Sequence, residues 1–511
     1  MTRTKFAIKN TAVGILSKAT ALILGFVSRT VFIHFLGNEY LGVNGLYTEV
    51  LSILSFAELG FGTALTYAMY KPVAQNDTDT ILKLTNYYKK IYRLIACIVA
   101  GLGLSILPFL QHVVKGADLL TLHDLRLYYV IFLFNTVTSY FVTYKYSIVN
   151  AHQKNYIITN MEMIVQFVTS SIQIIFLVVF KSFLIYLLTQ SILLLCSRFF
   201  ISRYLNKRFP ILAQKSNLVL SNQEKAPIIQ NVKGLIVHQF ASVAVHSTDN
   251  IIISSFCGVI VVGLISNYTL LINSVLAFVV ILFNSVTSGF GNMVASSSTE
   301  NYRKTFLELN FLNFWIYGFC CIAFFILIPP FITFWIGKEN LIDTASFLLI
   351  IINCYLVGQS TAYNNTRIAK GDFSRDKWIA FSQAVVNLIV SIICAKTFGL
   401  IGVYMGTIVS RMVFVIWRPR STYRFLFERS CLEYYIRLAV YFAAVVCAGG
   451  ITYLCTQPIL KQLTFGHFLL SCGAVALLPN LLFLIVFHRT KEFRDLLHRV
   501  KGIVTERKND K

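Results

Sequence analysis

Residues 25–72 read GFVSRTVFIHFLGNEYLGVNGLYTEVLSILSFAELGFGTALTYAMYKP. Two apolar spans meet at a short polar corner, Gly37-Asn38-Glu39, and carry Arg29, Glu49 and Glu58 inside otherwise lipid-compatible sequence. An ionised side chain near the centre of a bilayer costs roughly 2.5–3.5 kcal/mol on the most lenient insertion scale. Three of them in adjacent spans point to an internal polar cavity. The alternative reading places Glu39 and Glu49 near the interface, where they partner backbone groups only.

Composition fixes the class around this stretch. The chain has 511 residues, of which 56% are hydrophobic and 13% charged, with a mean hydropathy of +0.68. Soluble domains carry about 25% charge, so this is an all-α polytopic membrane protein. Spans of about 20 apolar residues fall near 11–36, 41–69, 91–111, 126–149, 157–179, 183–205, 234–256, 260–290, 306–328, 343–366, 378–396, 400–417, 435–455 and 465–487, which predicts fourteen helices. The basic start followed by an apolar run resembles a signal peptide. The run passes through Arg29 with no small-residue cleavage site, so it is expected to be the first span. The eleven cysteines are scattered, with no C-x-x-C and no Cys/His metal spacing, and read as small apolar packing groups.

Charge placement sets the orientation. With alternate loops on opposite sides, 37 of the 45 Lys and Arg fall on the side shared by both termini. They include Lys71 to Arg93, Lys145, Lys154, Arg198 to Lys233, Arg367 to Lys377, Arg411 to Arg437 and the tail from Arg489. Positive charge favours the cytoplasmic face, so both termini are expected in the cytoplasm. The net charge of +23 is then an inner-leaflet feature and not a nucleic-acid footprint.

A weak internal repeat is offset by about 220 residues. Ser28-Arg29-Thr30 falls on Thr248-Asp249-Asn250; after a one-residue slip, Leu41-Gly42 falls on Val262-Gly263 and Tyr47-Thr48 on Tyr268-Thr269. Six expected spans separate the copies, so they share orientation, and such repeats in transporters put the substrate path at their interface. The expected organisation is a six-helix lobe over 1–205, a cytoplasmic linker over 206–230 with Pro210 and Pro227, and a second lobe over 231–425. Two extra helices over 426–488 and a basic tail over 489–511 complete it. Lys18 and Arg29 are eleven residues apart and share a helical face, as do His238 and Asp249 in the second copy. His238 also reads simply as a hydrogen-bonded interface residue, and Asp249 as a local ion-pair partner.

The run LGNEYLGVNGLY and ELGFGTALTYAMY, with Thr248 to Ser254, Val262-Gly263 and Tyr268 in the second copy, resembles the polysaccharide transporter family. These are the Wzx-type oligosaccharide repeat-unit flippases of the superfamily that also holds MATE multidrug exporters and lipid II flippases. The resemblance implies two six-helix lobes around a V-shaped cavity, with two further helices. It also implies translocation of undecaprenyl-diphosphate-linked oligosaccharide from the inner to the outer leaflet of the bacterial cytoplasmic membrane. It further implies membrane lipids, a polysaccharide polymerase and glycosyltransferases as partners. The residue chemistry agrees: Lys18 and Arg29 suit a diphosphate, with Glu49, Glu58, Asp249 and His238 as further substrate-contacting candidates. Basic residues such as Lys89, Lys90, Arg93, Arg367 and Arg411 suit recruitment of anionic headgroups, with solvation as their default role.

No cofactor is expected. Exporting one negative charge down an inside-negative potential yields about 2.3 kcal/mol per 100 mV, and a proton or sodium ion on Asp249, with Asn364 or Asn365, is the alternative coupling. No G-x-x-x-x-G-K-[ST] phosphate loop is present. A multidrug antiporter of the same fold would favour an acidic cavity, against Lys18 and Arg29. A membrane glycosyltransferase, polymerase or ligase would need carboxylates or histidines on a large outer loop. Asp118, His123 and Asp124 form the only such cluster, so the chain is read as a non-enzyme. A lipid II flippase remains the nearest other reading.

Overall fold

The computed structural model describes residues 3–214, 216, 218–296, 299–364, 376–462 and 464–498. The described residues form helices and no strands, as a chain with these apolar runs must when every backbone amide in hydrocarbon needs an internal partner. In chain order the long helices are α1 (Arg3–Leu54), α2 (Phe56–Gln75), α3 (Thr78–Ile106), α4 (Leu122–Thr143), α5 (Tyr156–Phe180), α6 (Phe183–Arg208) and α7 (Asn222–Cys257). They continue as α8 (Val259–Ser296), α9 (Thr299–Ile336), α10 (Thr344–Gln359), α11 (Asp376–Thr422), α12 (Leu432–Leu460) and α13 (Phe465–Phe487).

Eleven helices among the described residues are long and apolar enough to cross a membrane, so the chain is a multi-pass membrane protein. Two of the eleven are pairs joined across a kink. In α1 the kink is Gly37, at φ 81° and ψ −175°; in α11 it is Gly399, at φ 56° and ψ −129°. These backbone angles are open to glycine and strained for other residues. Gly37 therefore makes the polar corner of residues 37–39 a sharp turn between two helices. The eleven do not translate into a number of crossings, and fourteen stays an expectation from sequence.

Expected spans are broken in places: 126–149 is interrupted after Thr143, where residues 144 and 145 form a turn, and 343–366 meets a turn at Ser360. The run 41–69 divides at Ser55, between α1 and α2. The Ser55 hydroxyl donates to the Leu51 carbonyl at 2.8 Å, back-bonding of the kind that bends helices. Two helix starts carry reciprocal caps. Thr121 and Asp124 form a capping box on α4, and Ser221 and Glu224 form one on α7. The second box starts a helix inside the stretch expected as a linker and carries Pro227 within it.

The contacts divide the chain into two compact units, residues 1–266 and 267–511. In the first, α1 packs on α5 and α7, α2 on α7, α3 on α4, and α6 on α4 and α5. The lobe boundaries drawn from the repeat, at 205 and 231, are a separate division and remain a proposal. In the second unit α9 packs on α10, α12 and α13, and α10 on α11. Its core is aromatic: Phe314 stacks on Tyr441 at 4.4 Å and meets Phe483 and Phe487, while Trp315 donates to Asn480 Oδ1 at 2.8 Å.

Basic residues expected on solvated loops are partly tied down. Arg303 pairs with Glu300 and Glu433 at 2.8 Å, Arg437 with Glu433 at 3.0 Å, and Lys304 with Asp495 at 2.9 Å. Lys145 is buried, donating to Ser202 Oγ at 2.6 Å and Asn206 Oδ1 at 2.8 Å. Arg411, read above as a loop residue, is buried within α11 and donates to Asn353. Arg367 and residues 499–511 of the tail lie outside the described residues.

Candidate functional site

The first unit carries polar groups inside its helix bundle at three places. The first is Arg29. Its Nη1 donates to Ser266 Oγ at 2.5 Å, and that hydroxyl donates in turn to the Gly263 carbonyl at 2.7 Å. The guanidinium lies beside Tyr186 of α6. A half-buried arginine in this setting needs hydroxyl and ring partners because water is scarce. Arg29 thus reaches residues on two other elements, as expected of an internal group and not of a lipid-facing one.

The second is a polar cavity of about 520 Å³ between α1, α4, α5 and α6. α5 supplies Glu162, Gln166, Thr169 and Gln173, spaced four, three and four residues apart, so they form one stripe on a helix. Tyr186 closes one end: it is hydrogen-bonded to Ser28 of α1 and to Gln173, whose Nε2 also donates to the Tyr186 carbonyl at 3.2 Å. At the other end Tyr146 lies near both Glu162 and Arg198, and Arg198 donates to Thr138 Oγ1. Ser28 and Tyr186 connect the cavity to the Arg29 neighbourhood. Its lining of amides, hydroxyls and two tyrosine rings, with one acid and one base, offers hydrogen-bond donors and acceptors of the kind that suit hydroxyl-rich groups. The volume lies within the range of small-molecule sites, about 300–1,000 Å³.

The third is Glu58, half-buried and hydrogen-bonded to Tyr140, with Tyr92 close by; Tyr140 also donates to Ser55 Oγ at 2.9 Å. The remaining candidates are scattered. Glu39 is buried and accepts from the Leu119 amide at 2.8 Å, the backbone-partner role weighed for it. Glu49 is half-buried on the second segment of α1, and Lys18 is exposed on the first. Asp249 is half-buried in α7. The side chain of His238 and the whole of Asn365 lie outside the described residues. Asn364 accepts from Arg418 Nη1 at 3.0 Å within the second unit. Among the described residues no three His, Cys, Asp or Glu side chains gather as a metal-binding group.

Sequence reading passed over the cavity. Its signal was present as Glu162-x3-Gln166-x2-Thr169-x3-Gln173, a polar stripe inside an apolar helix. What hid it is that Gln, Thr and Ser cost far less in a span than a charge does, so a search for charges steps over them.

The sequence profile of a family described as polysaccharide biosynthesis protein matches residues 7–279, just over half of the 511. The chain belongs to that family. Comparison with curated protein sequences gave no match. Among solved structures the fold is shared with the lipid II flippase MurJ in an inward closed conformation, at TM-score 0.67 and 16% identity, covering 97% of this chain and 100% of that one. It is also shared with an inward-facing multidrug resistance MATE family transporter of the MOP superfamily, at TM-score 0.61 and 16% identity over 80% of this chain and 96% of that one. A MOP superfamily transporter from Pyrococcus furiosus, described by the reversed polarity of its binding pocket, matches at TM-score 0.54 and 12% identity over 83% and 97%. This polysaccharide-family chain therefore has the fold of MATE and MurJ transporters. Of these three solved structures, the two with the higher TM-scores are described as a flippase and a multidrug transporter.

Proposed function

We propose that this polysaccharide-family protein flips undecaprenyl-diphosphate-linked oligosaccharide repeat units from the inner to the outer leaflet of a bacterial cytoplasmic membrane, with both termini in the cytoplasm, for capsule, exopolysaccharide or O-antigen assembly. The observation that carries this reading is the polar cavity of α5 and α6 set beside the half-buried Arg29 within a bundle of membrane helices. A glycosylated diphosphate cannot shed its water into hydrocarbon without replacement hydrogen bonds. The cavity supplies them to sugar hydroxyls through Gln166, Gln190 and Thr143. Arg29 supplies the fixed positive charge for phosphate, with Lys18 assisting nearer the N-terminal end of α1. Glu58, Glu49, Asp249 and His238 are further contacts or coupling groups on this reading. The membrane potential, a proton or sodium drives the cycle, and a polymerase and glycosyltransferases stand on either side of it.

A lipid II-type flippase is the second reading, favoured by the near-complete mutual coverage with MurJ. Both substrates present a lipid diphosphate and differ in the glycan. Deleting the gene and identifying which lipid-linked glycan accumulates, leaflet by leaflet, separates them. Inner-leaflet accumulation of an oligosaccharide repeat unit is the expected result. Accumulation of a peptidoglycan precursor favours the second reading, and no accumulation of either refutes both.

A further inference from the structure

The turn at Gly37 is about 50 Å along α1 from Arg3 at 1.5 Å per residue, at the far end of the first crossing. There the corner after the first helix meets the matching corner of the second repeat copy, between α7 and α8, inside the first unit. Two approaches are closer than any side chain permits. A Cβ built on Gly42 would stand 1.9 Å from the Val259 carbonyl oxygen, and one on Gly263 would stand 2.3 Å from the Asn38 carbonyl oxygen. The repeat pairs Gly42 with Gly263, and the same offset of 221 pairs Asn38 with Val259. The two contacts are therefore one contact made twice, reciprocally, as in a two-fold interface. Each is helix backbone against backbone, which only glycine allows.

Three hydrogen bonds fasten the same end. The Val259 amide donates to the Lys115 carbonyl at 2.8 Å, and the Ser254 hydroxyl donates to the Val113 carbonyl at 2.6 Å. The Leu119 amide donates to Glu39 Oε1 at 2.8 Å, holding the segment 113–119 against the α1 turn. Arg29 donates to Ser266 one turn beyond Gly263.

We infer that Gly42 and Gly263 form a pseudo-symmetric seam that closes the first unit at the Gly37 turn, opposite the N-terminus of α1. Glu39 acts as a positioning strut, and the seam parts when the transporter opens to that side. Translocation gives the seam its purpose and rests on the flippase reading. The closure itself is tested without any substrate, so the two fail separately.

Full-length protein in sealed vesicles carries Thr48→Cys, an exposed position three residues deeper than Gly45. A membrane-impermeant maleimide is added on the seam side, and labelling above the parent chain is measured. Gly42→Ala and Gly263→Ala should each speed labelling by roughly fivefold or more, the scale on which overpacking shifts a packed contact. They should do so to a similar extent, as reciprocity demands. Gly45→Ala is the control, because its Cβ would sit at an ordinary 3.6 Å from Val262 Cγ1. Equal labelling in all variants, or an equal rise for Gly45→Ala, overturns the inference. A second arm avoids the alanine variants: Gly45→Cys with Val262→Cys lies within disulfide reach and should cross-link readily in membranes under mild oxidation. Failure to cross-link in a folded, monodisperse protein overturns it as well.

Discussion

Ser266→Ala removes an acceptor of Arg29 and leaves the arginine in place. Both residues are half-buried, and the bond joins α1 to the start of α8 next to the glycine seam. Hydrogen bonds to charged groups are worth about 1.5–3 kcal/mol. Side-chain bonds measured inside membrane bundles average about 0.6 and reach about 1.7 kcal/mol, because the alternative state also finds partners. The overlap of the two ranges, about 1.5 kcal/mol, shifts a conformational equilibrium roughly tenfold. The assay is a double-mutant cycle on the Thr48→Cys labelling rate with Arg29→Ala, Ser266→Ala and both. If the bond acts as a pair, each single variant raises labelling about tenfold and the double variant little further. Export then divides the two residues: Arg29→Ala abolishes it, while Ser266→Ala, which keeps the cation for phosphate, only slows it. Additive labelling effects, or Ser266→Ala indistinguishable from the parent, would refute the coupling of Arg29 to the seam.

Arg29→Lys tests what the site asks of the cation: export falls less than with Arg29→Ala if charge suffices, and equally if a bidentate guanidinium is needed, read from lipid-linked glycan exported at matched protein abundance. Asp249→Asn is expected to impair export through loss of a coupling or pairing charge; the charge swap Arg29→Asp with Asp249→Arg restores part of it only if the two groups pair, and full export by Asp249→Ala at equal abundance removes Asp249 from the mechanism. At the start of α7, hydrogen bonds from Ser221 hold the Glu224 carboxyl below its usual range, with Lys83 Nζ at 3.2 Å adding to this. A depressed carboxylate stabilises its helix end above the unfolded value and loses that contribution as pH falls through the folded one, so hydrogen-exchange protection of the first-turn amides should drop below about pH 4.3, and Ser221→Ala should remove about 1 kcal/mol of local protection and flatten that pH response.

Charge in hydrocarbon is rare, so candidate site residues can be picked out of the sequence. Arg29 stood out from its span, and the polar corner at residues 37–39 appears as the Gly37 kink. The family was legible in the same stretch, and the profile match begins at residue 7 and runs through it. The capping boxes and the break at Ser55 were written in short local patterns, although apolar length alone drew the second span straight through it.

Other features required the tertiary structure. The polar corner sets Glu39 apart, but nothing local names its partner, a backbone amide 80 residues away, or shows that Glu58 meets Tyr140 inside the bundle. The stripe Glu162, Gln166, Thr169 and Gln173 is visible in sequence, but only the packing of α4 and α6 against it makes it a cavity and not a lipid-facing face. Gly42 and Gly263 were already aligned by the repeat, yet their need for glycine comes from carbonyl oxygens of Val259 and Asn38 at distances no pattern encodes. Hydropathy and charge are properties of single positions and survive in the sequence. Which polar groups share a cavity, and which backbones touch, depends on long-range packing and is decided only when the helices meet.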